Sequence, residues 1–185
     1  MPRVKKYCEE DVVDKAMSVF WRNGYNGTSM QMLEKEMGIN KFSIYSSFGN
    51  KHGVFVECLK AYNKKTNDIY LDFKNSEGGI NDIKKMFYNF LDIWFQDEKK
   101  GCFMTNTHNE FVGSDDKLVM HQVEQRKDIK DIIIKKLKMD SSKTEETVLK
   151  EASFISLSLH SLPTTSRVSS KEDIKNYIEM VFKNI

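Results

Sequence analysis

A chain of 185 residues that is 39% hydrophobic and 30% charged has the balance of a folded globular protein, not of a disordered one. No apolar run approaches the roughly 20 residues of a bilayer span, and Met1-Pro2-Arg3-Val4-Lys5-Lys6 has no apolar stretch behind it. Neither a membrane span nor a secretory signal is therefore expected. The net charge of +2 is uneven: residues 1–65 carry eleven Lys/Arg and seven Asp/Glu, the rest eighteen and twenty. A basic head on a slightly acidic body suits a polyanion partner at the N-terminal end. Three cysteines, Cys8, Cys58 and Cys102, lack C-x-x-C spacing and argue against a disulfide framework and structural zinc. A reducing cytoplasm fits that usage.

With prolines only at Pro2 and Pro163, the chain suits continuous helices. The first is predicted from about Glu10 to Asn23, with Val12, Val13, Ala16, Met17, Phe20 and Trp21 on one face and Gly24 as its stop. Thr28 or Ser29 caps a short second helix that ends near Met37, and Gly38 makes the turn. Asn40 caps a third, Lys41 to Phe48, with Ile44 and Phe48 inward. Gly49-Asn50 breaks it. A long fourth helix, Lys51 to about Phe73, buries Val54, Phe55, Cys58, Leu59 and Tyr62.

After the loop Asn75–Gly79 an aromatic-rich helix presents Ile83, Met86, Phe87, Phe90, Leu91 and Trp94. A polar break from Asp97 to Gly101 precedes a short helix from Cys102 to about Val112. A long charged helix is expected from Lys117 to about Lys138, with Val119, Val123, Ile129, Ile132, Ile133 and Leu137 inward. Glu146 to Leu162 is the most apolar helix. Residues 171–184 form the last, opened by Ser170 and Asp173 at capping-box spacing. The expectation is an all-α fold of about nine helices: a three-helix head over residues 1–50 and a helical bundle over 51–185.

Two short helices joined by a glycine turn and packed on a preceding helix have the layout of a helix-turn-helix, whose second member enters the major groove. The predicted reading helix, Lys41-Phe42-Ser43-Ile44-Tyr45-Ser46-Ser47-Phe48, is anchored by Ile44 and Phe48. Its remaining face, with Asn40 before it, carries one cation and no carboxylate, as closeness to phosphate requires. Lys51 adds a cation beside a helix N-terminus, which itself favours anions.

The stretch from Phe20 to Phe55 resembles the head of the TetR/AcrR regulators. The resemblance is carried by Phe20, Gly24-Tyr25, Thr28-Ser29, Gly38-Ile39, Lys41, Ser43-Ile44-Tyr45, Phe48-Gly49-Asn50-Lys51 and Phe55. It implies that Tyr45 and Lys51 meet phosphates and that Lys41, Phe42, Ser43 and Ser46 face bases. Ser29 and Gln31 would reach the backbone from the second helix, and Asn40 and Ser47 flank the reading face. Two residues depart from the family pattern. Glu34 stands where a small residue is common, and Phe42 where Gly or Pro is frequent. Phe42 either meets a thymine methyl or packs locally.

In the body, Gly101-Cys102-Phe103-Met104-Thr105-Asn106-Thr107 with Glu110 resembles a G-C-L-x-x-N-T-x-x-E segment of one subset of TetR-like ligand domains. The resemblance implies a small-molecule inducer, apolar or aromatic, met by Phe90, Trp94, Phe103, Thr107, His108, Phe111 and Met120. A plain hydrophobic core is the alternative for those stripes. On the Glu146–Leu162 helix, Val148, Ala152, Ile155, Leu159 and Leu162 make one stripe, while Leu149, Phe154 and Leu157 add a second. One stripe serves the monomer core. The second suggests a homodimer seam formed by residues 146–162 and 171–184. The fourth helix, reaching from head to body, is the expected lever.

The expected partner is thus double-stranded operator DNA, bound by a cytoplasmic homodimeric repressor with no membrane association. No cofactor or metal is expected, since His52, His108, His121 and His160 share no ligand spacing. A helical ligand-binding protein or small enzyme is the rival reading. No G-x-S-x-G, phosphate-binding glycine loop or H-E-x-x-H supports it, and no enzymatic activity is expected. A third reading keeps DNA binding and replaces the inducer by thiol redox sensing at Cys102.

Overall fold

The computed structural model describes residues 7–95, 100–183 and 185. Among them are eleven α-helices and one 3-10 turn, and no strand. The helices are α1 Glu9–Gly27, α2 Met30–Met37, α3 Lys41–Phe48, α4 Lys51–Lys65, α5 Asn67–Asn75, α6 Ile80–Trp94, α7 Phe103–Phe111, α8 Lys117–Val123, α9 Ile129–Leu137, α10 Glu145–Thr165 and α11 Lys171–Lys183. The all-helical expectation holds, and the count rises from nine to eleven because two predicted helices are each broken once.

The fourth helix is interrupted at Thr66, whose φ of −98° and ψ of 4° depart modestly from helical values. Residues Val54, Phe55, Cys58, Leu59 and Tyr62 of α4 bury in one core, while Phe73 of α5 buries in another. The continuous helical lever from Lys51 to Phe73 is therefore replaced by two helices. The predicted helix over 117–138 is interrupted likewise, by the 3-10 turn Glu124–Arg126 before α9 begins. The polar break at Asp97 falls outside the described residues.

The chain divides into two compact units. The first comprises residues 1–65 and 106–123, the second residues 66–105 and 124–185. The boundary thus falls inside α7. This division follows packing, whereas the sequence split at residue 50 followed role.

In the first unit, α1 sets Val12, Val13, Ala16, Met17, Val19 and Phe20 against Val54, Phe55, Cys58 and Leu59 of α4, all buried. Leu33 and Met37 seat α2, and Ile44 seats α3. Three acidic residues, Glu9, Glu10 and Asp11, open α1, where they complement the helix dipole. The Cys58 thiol is fully buried and held well above its ordinary value, first by burial and then by Asp14 and Glu57.

The second unit packs α5, α6, α9, α10 and α11 around Phe73, Phe87, Leu91, Trp94, Ile133 and Ile155. Lys136, almost wholly buried, donates to Ser76 O at 2.6 Å, Ser76 Oγ at 3.0 Å and Asp82 Oδ2 at 2.8 Å. All three ammonium donors are therefore used, as a buried cation demands. Ser170 and Asp173 form the predicted capping box on α11, each side chain accepting from the other's backbone N–H. Helix α10 runs past its predicted end through Pro163 to Thr165; the proline forgoes one ladder bond, and the Ser166 N–H resumes the pattern by donating to Leu162 O at 2.8 Å.

Candidate nucleic-acid interface

Helix α3 has eight residues, too few to persist alone. Three local devices hold it. Ile44 is wholly buried, which contributes about 2 kcal/mol. Asn40 Oδ1 accepts the Ser43 N–H at 2.9 Å, an N-cap. Glu34 Oε1, on α2, accepts the Lys41 N–H at 2.9 Å. The acidic departure from the family pattern thus stitches the end of one short helix to the start of the next, across the turn made by Gly38 at φ +68°.

Lys41, Phe42, Tyr45 and Ser46 are exposed on one side of α3, while Ser43, Ser47 and Phe48 are half-buried. Lys41 Nζ lies 5.8 Å from the centre of the Tyr45 ring, so cation and phenol share one flank. Ser47 Oγ pairs with Tyr7 Oη at 2.7 Å. On α2, Ser29 is the cap, accepting from the Met32 N–H at 3.2 Å, and Gln31 is exposed. Thr28, the other cap considered, is buried and donates to Gly24 O at 2.7 Å.

Lys51 does more than carry charge. Its ammonium donates to Tyr25 O at 2.8 Å and Thr28 O at 2.9 Å and lies 4.3 Å from the Tyr25 ring centre. Of its three donors, two tie α4 to the α1–α2 turn. From the other side, Glu110 of α7 accepts the Tyr25 N–H at 2.8 Å and the Asn26 N–H at 2.7 Å. This turn begins at Gly24, with φ +73° and ψ 173°, where a Cβ would stand 2.9 Å from Glu110 Oε2. Gly24 therefore both permits the backbone conformation and makes room for the carboxylate. Its non-helical backbone breaks the helix where the sequence placed the stop, and only a short second segment follows, to Gly27.

Two further ties join the first unit's helices. His52 Nε2 lies 2.7 Å from Asp116 Oδ2, and Asn63 Nδ2 donates to Gln122 O at 3.0 Å. Burial raises the Asp116 carboxyl, but the Val119 N–H and His52 outweigh it and leave it below its ordinary value. Phe111 packs against both Tyr25 and Phe55, with centroids 5.4 and 5.7 Å away. Sequence reasoning noticed Glu110 only as part of a motif and missed the His52–Asp116 and Asn63–Gln122 pairs, whose partners lie 59 to 85 residues away.

The seven expected inducer contacts are distributed over both units. Phe90, Trp94 and Phe103 belong to the second; Thr107, His108, Phe111 and Met120 belong to the first. Phe90 stacks on Trp94 at 6.2 Å. The Trp94 indole N–H is buried and meets no acceptor among the described residues. Cys102 is half-buried. Among the described residues no group of His, Cys, Asp and Glu could hold a metal ion, and no helix is long and apolar enough to cross a membrane.

Residues 12–58 match the family described as bacterial regulatory proteins, tetR family. The chain is 28% identical over 133 residues to the uncharacterized HTH-type transcriptional regulator YezE of Bacillus subtilis, covering 71% of this chain and 69% of that protein. It is 30% identical over 109 residues to the HTH-type transcriptional repressor ComR of Escherichia coli, covering 56% of this chain but only 51% of ComR. In fold it is similar to a cysteine mutant of the TetR family transcriptional regulator CifR complexed with 26-base-pair operator DNA. The TM-score is 0.80 at 20% identity, and the similarity covers 98% of each chain.

Proposed function

The head of this chain belongs to the tetR family of bacterial regulatory proteins, and on that premise we propose that the chain is a ligand-responsive transcriptional repressor that binds a palindromic operator as a homodimer. The observation that carries the reading is the outer face of α3. Lys41, Phe42, Tyr45 and Ser46 stand exposed on a short helix that has no carboxylate of its own and is braced from behind by Ile44 and two caps. Such a face can enter a major groove, with Tyr45 and Lys41 reaching phosphate or base edges. Ser29 and Gln31 on α2, and the third donor of Lys51, would meet the adjoining backbone. The named operator complex of CifR and the named repressor ComR support repression at an operator. The setting is the bacterial cytoplasm, where operator DNA lies.

Two features support the finer parts. Leu149, Phe154 and Leu157 on α10 and Met180 on α11 are exposed in the second unit, as a seam for a second copy requires. The unpaired Trp94 indole, beside Phe90, supplies one orienting donor in apolar surroundings, which suits an apolar or aromatic inducer carrying an acceptor.

The test is selection of duplexes from a random pool by the full chain, followed by titration at several salt concentrations. An inverted repeat should emerge, with affinity falling steeply as salt rises through counterion release. Tyr45→Ala should weaken selected and unrelated duplexes alike. Absence of duplex binding even at very low ionic strength would end this reading.

A further inference from the structure

The most exposed aromatic on the reading helix is Phe42, with 74% of its surface open to solvent. It is the second residue of α3, flanked by exposed Lys41, Tyr45 and Ser46. Local packing, one of the two roles open to it from sequence, is thereby removed, because a packed ring would be covered by its own head. An unpartnered phenyl ring on the presented face of a short helix is costly in water. It is accounted for if its partner is the surface that the helix meets.

The neighbouring chemistry narrows that partner. The first turn of α3 already has acceptors: Glu34 takes the Lys41 N–H and Asn40 takes the Ser43 N–H. With a carboxylate seated there, this end of the helix is not built to hold a phosphate. The aromatic ring beside it therefore faces base edges, not backbone. Among base edges in the major groove, the C5 methyl of thymine is the one apolar group that projects beyond a ring C–H. Resting on the operator-binding reading, we propose that Phe42 is a specificity-determining residue that covers a thymine methyl in each half-site.

The test uses the duplex selected by the full-length wild-type chain. Each thymine is replaced in turn by uracil at symmetric positions, which deletes the methyl and leaves pairing unchanged. One position should cost the wild type about fourfold per half-site, or about fifteenfold across both, the worth of one buried methyl group in each. Phe42→Ala should bind the thymine duplex about that much more weakly and be indifferent to uracil at that position. Phe42→Leu, which keeps an apolar tip, should retain part of the discrimination. Equal sensitivity to uracil in wild type and Phe42→Ala, or no sensitive position, would overturn the thymine contact while leaving operator binding intact. Failure of the wild type to select any duplex would remove the underlying reading instead, and the contact with it. Unchanged thermal unfolding of Phe42→Ala would confirm that an exposed side chain has been probed.

Discussion

Glu110 and Lys51 hold the same short turn from opposite sides. The carboxylate takes the N–H groups of Tyr25 and Asn26, and the ammonium gives to the carbonyls of Tyr25 and Thr28. A turn clamped by both charges orients the start of α2, and through Glu34 the start of α3. Burial, then Asp116 and Glu110, keep the Tyr25 phenol above its ordinary value, so the ring under Lys51 stays neutral. Hydrogen bonds to charged groups contribute about 1.5–3 kcal/mol each, less where solvent competes. Glu110→Ala is therefore expected to lose about 3 kcal/mol in urea unfolding with an unchanged slope. Glu110→Gln, which keeps one acceptor, should lose about half of that. A Glu110→Ala chain that unfolds at the wild-type urea concentration would show that the clamp adds nothing.

At the scale of elements, the junction of α3 and α4 depends on Gly53. A Cβ there would lie 1.9 Å from the Phe48 carbonyl oxygen, a backbone atom that cannot swing aside. Asn50 caps the same turn, accepting the Gly53 N–H at 2.9 Å. Gly53→Ala must push the end of α3 away from α4. Strain of this kind costs about 1–3 kcal/mol. The displaced reading helix should also lose at least tenfold in affinity for the selected duplex, read by fluorescence anisotropy. Wild-type affinity in this variant would mean that α3 tolerates the shift. The sequence carried the elements themselves well: the stripes of α1, α4 and α6, the Gly38 turn, and the caps Asn40 and Ser170 stand where periodicity and capping rules put them. It could not carry the break at Thr66, because φ −98° and ψ 4° interrupt the hydrogen bonding with little disturbance of the apolar period, and neither Gly nor Pro marks the place. Nor could it carry the second task of Lys51. A lysine before a helix reads as an anion contact, and only the fold brings two carbonyls from 23 and 26 residues earlier to its ammonium.

For the whole molecule, the two stripes read on α10 have different fates. Val148, Ala152, Ile155 and Leu162 are buried in the second unit and Leu159 is half-buried against its core, whereas Leu149, Phe154 and Leu157 are exposed. Leu157 is 70% exposed, and on α11 Met180 is 57% exposed. A groove of about 410 Å³ runs along these two helices, lined by Phe154, Tyr177 and Met180 among others. A monomer gains nothing from keeping such side chains in water, while a two-fold seam buries each of them twice, once per copy. Leu157→Glu places a charge on that surface without touching the monomer core, so helical content should be retained. Across a seam it sets like charges against each other in an apolar setting, and light scattering should show a monomer at micromolar concentration. Two tethered reading heads gain on a palindrome because the second binds at high effective concentration, worth 10²–10⁴ in affinity. The monomeric variant should accordingly bind the selected duplex about 100-fold or more weakly, while its affinity for an isolated half-site stays near that of the wild type. A Leu157→Glu chain that remains dimeric would place the seam elsewhere on the molecule. A monomer that keeps full affinity for the palindrome would break the link between pairing and operator recognition.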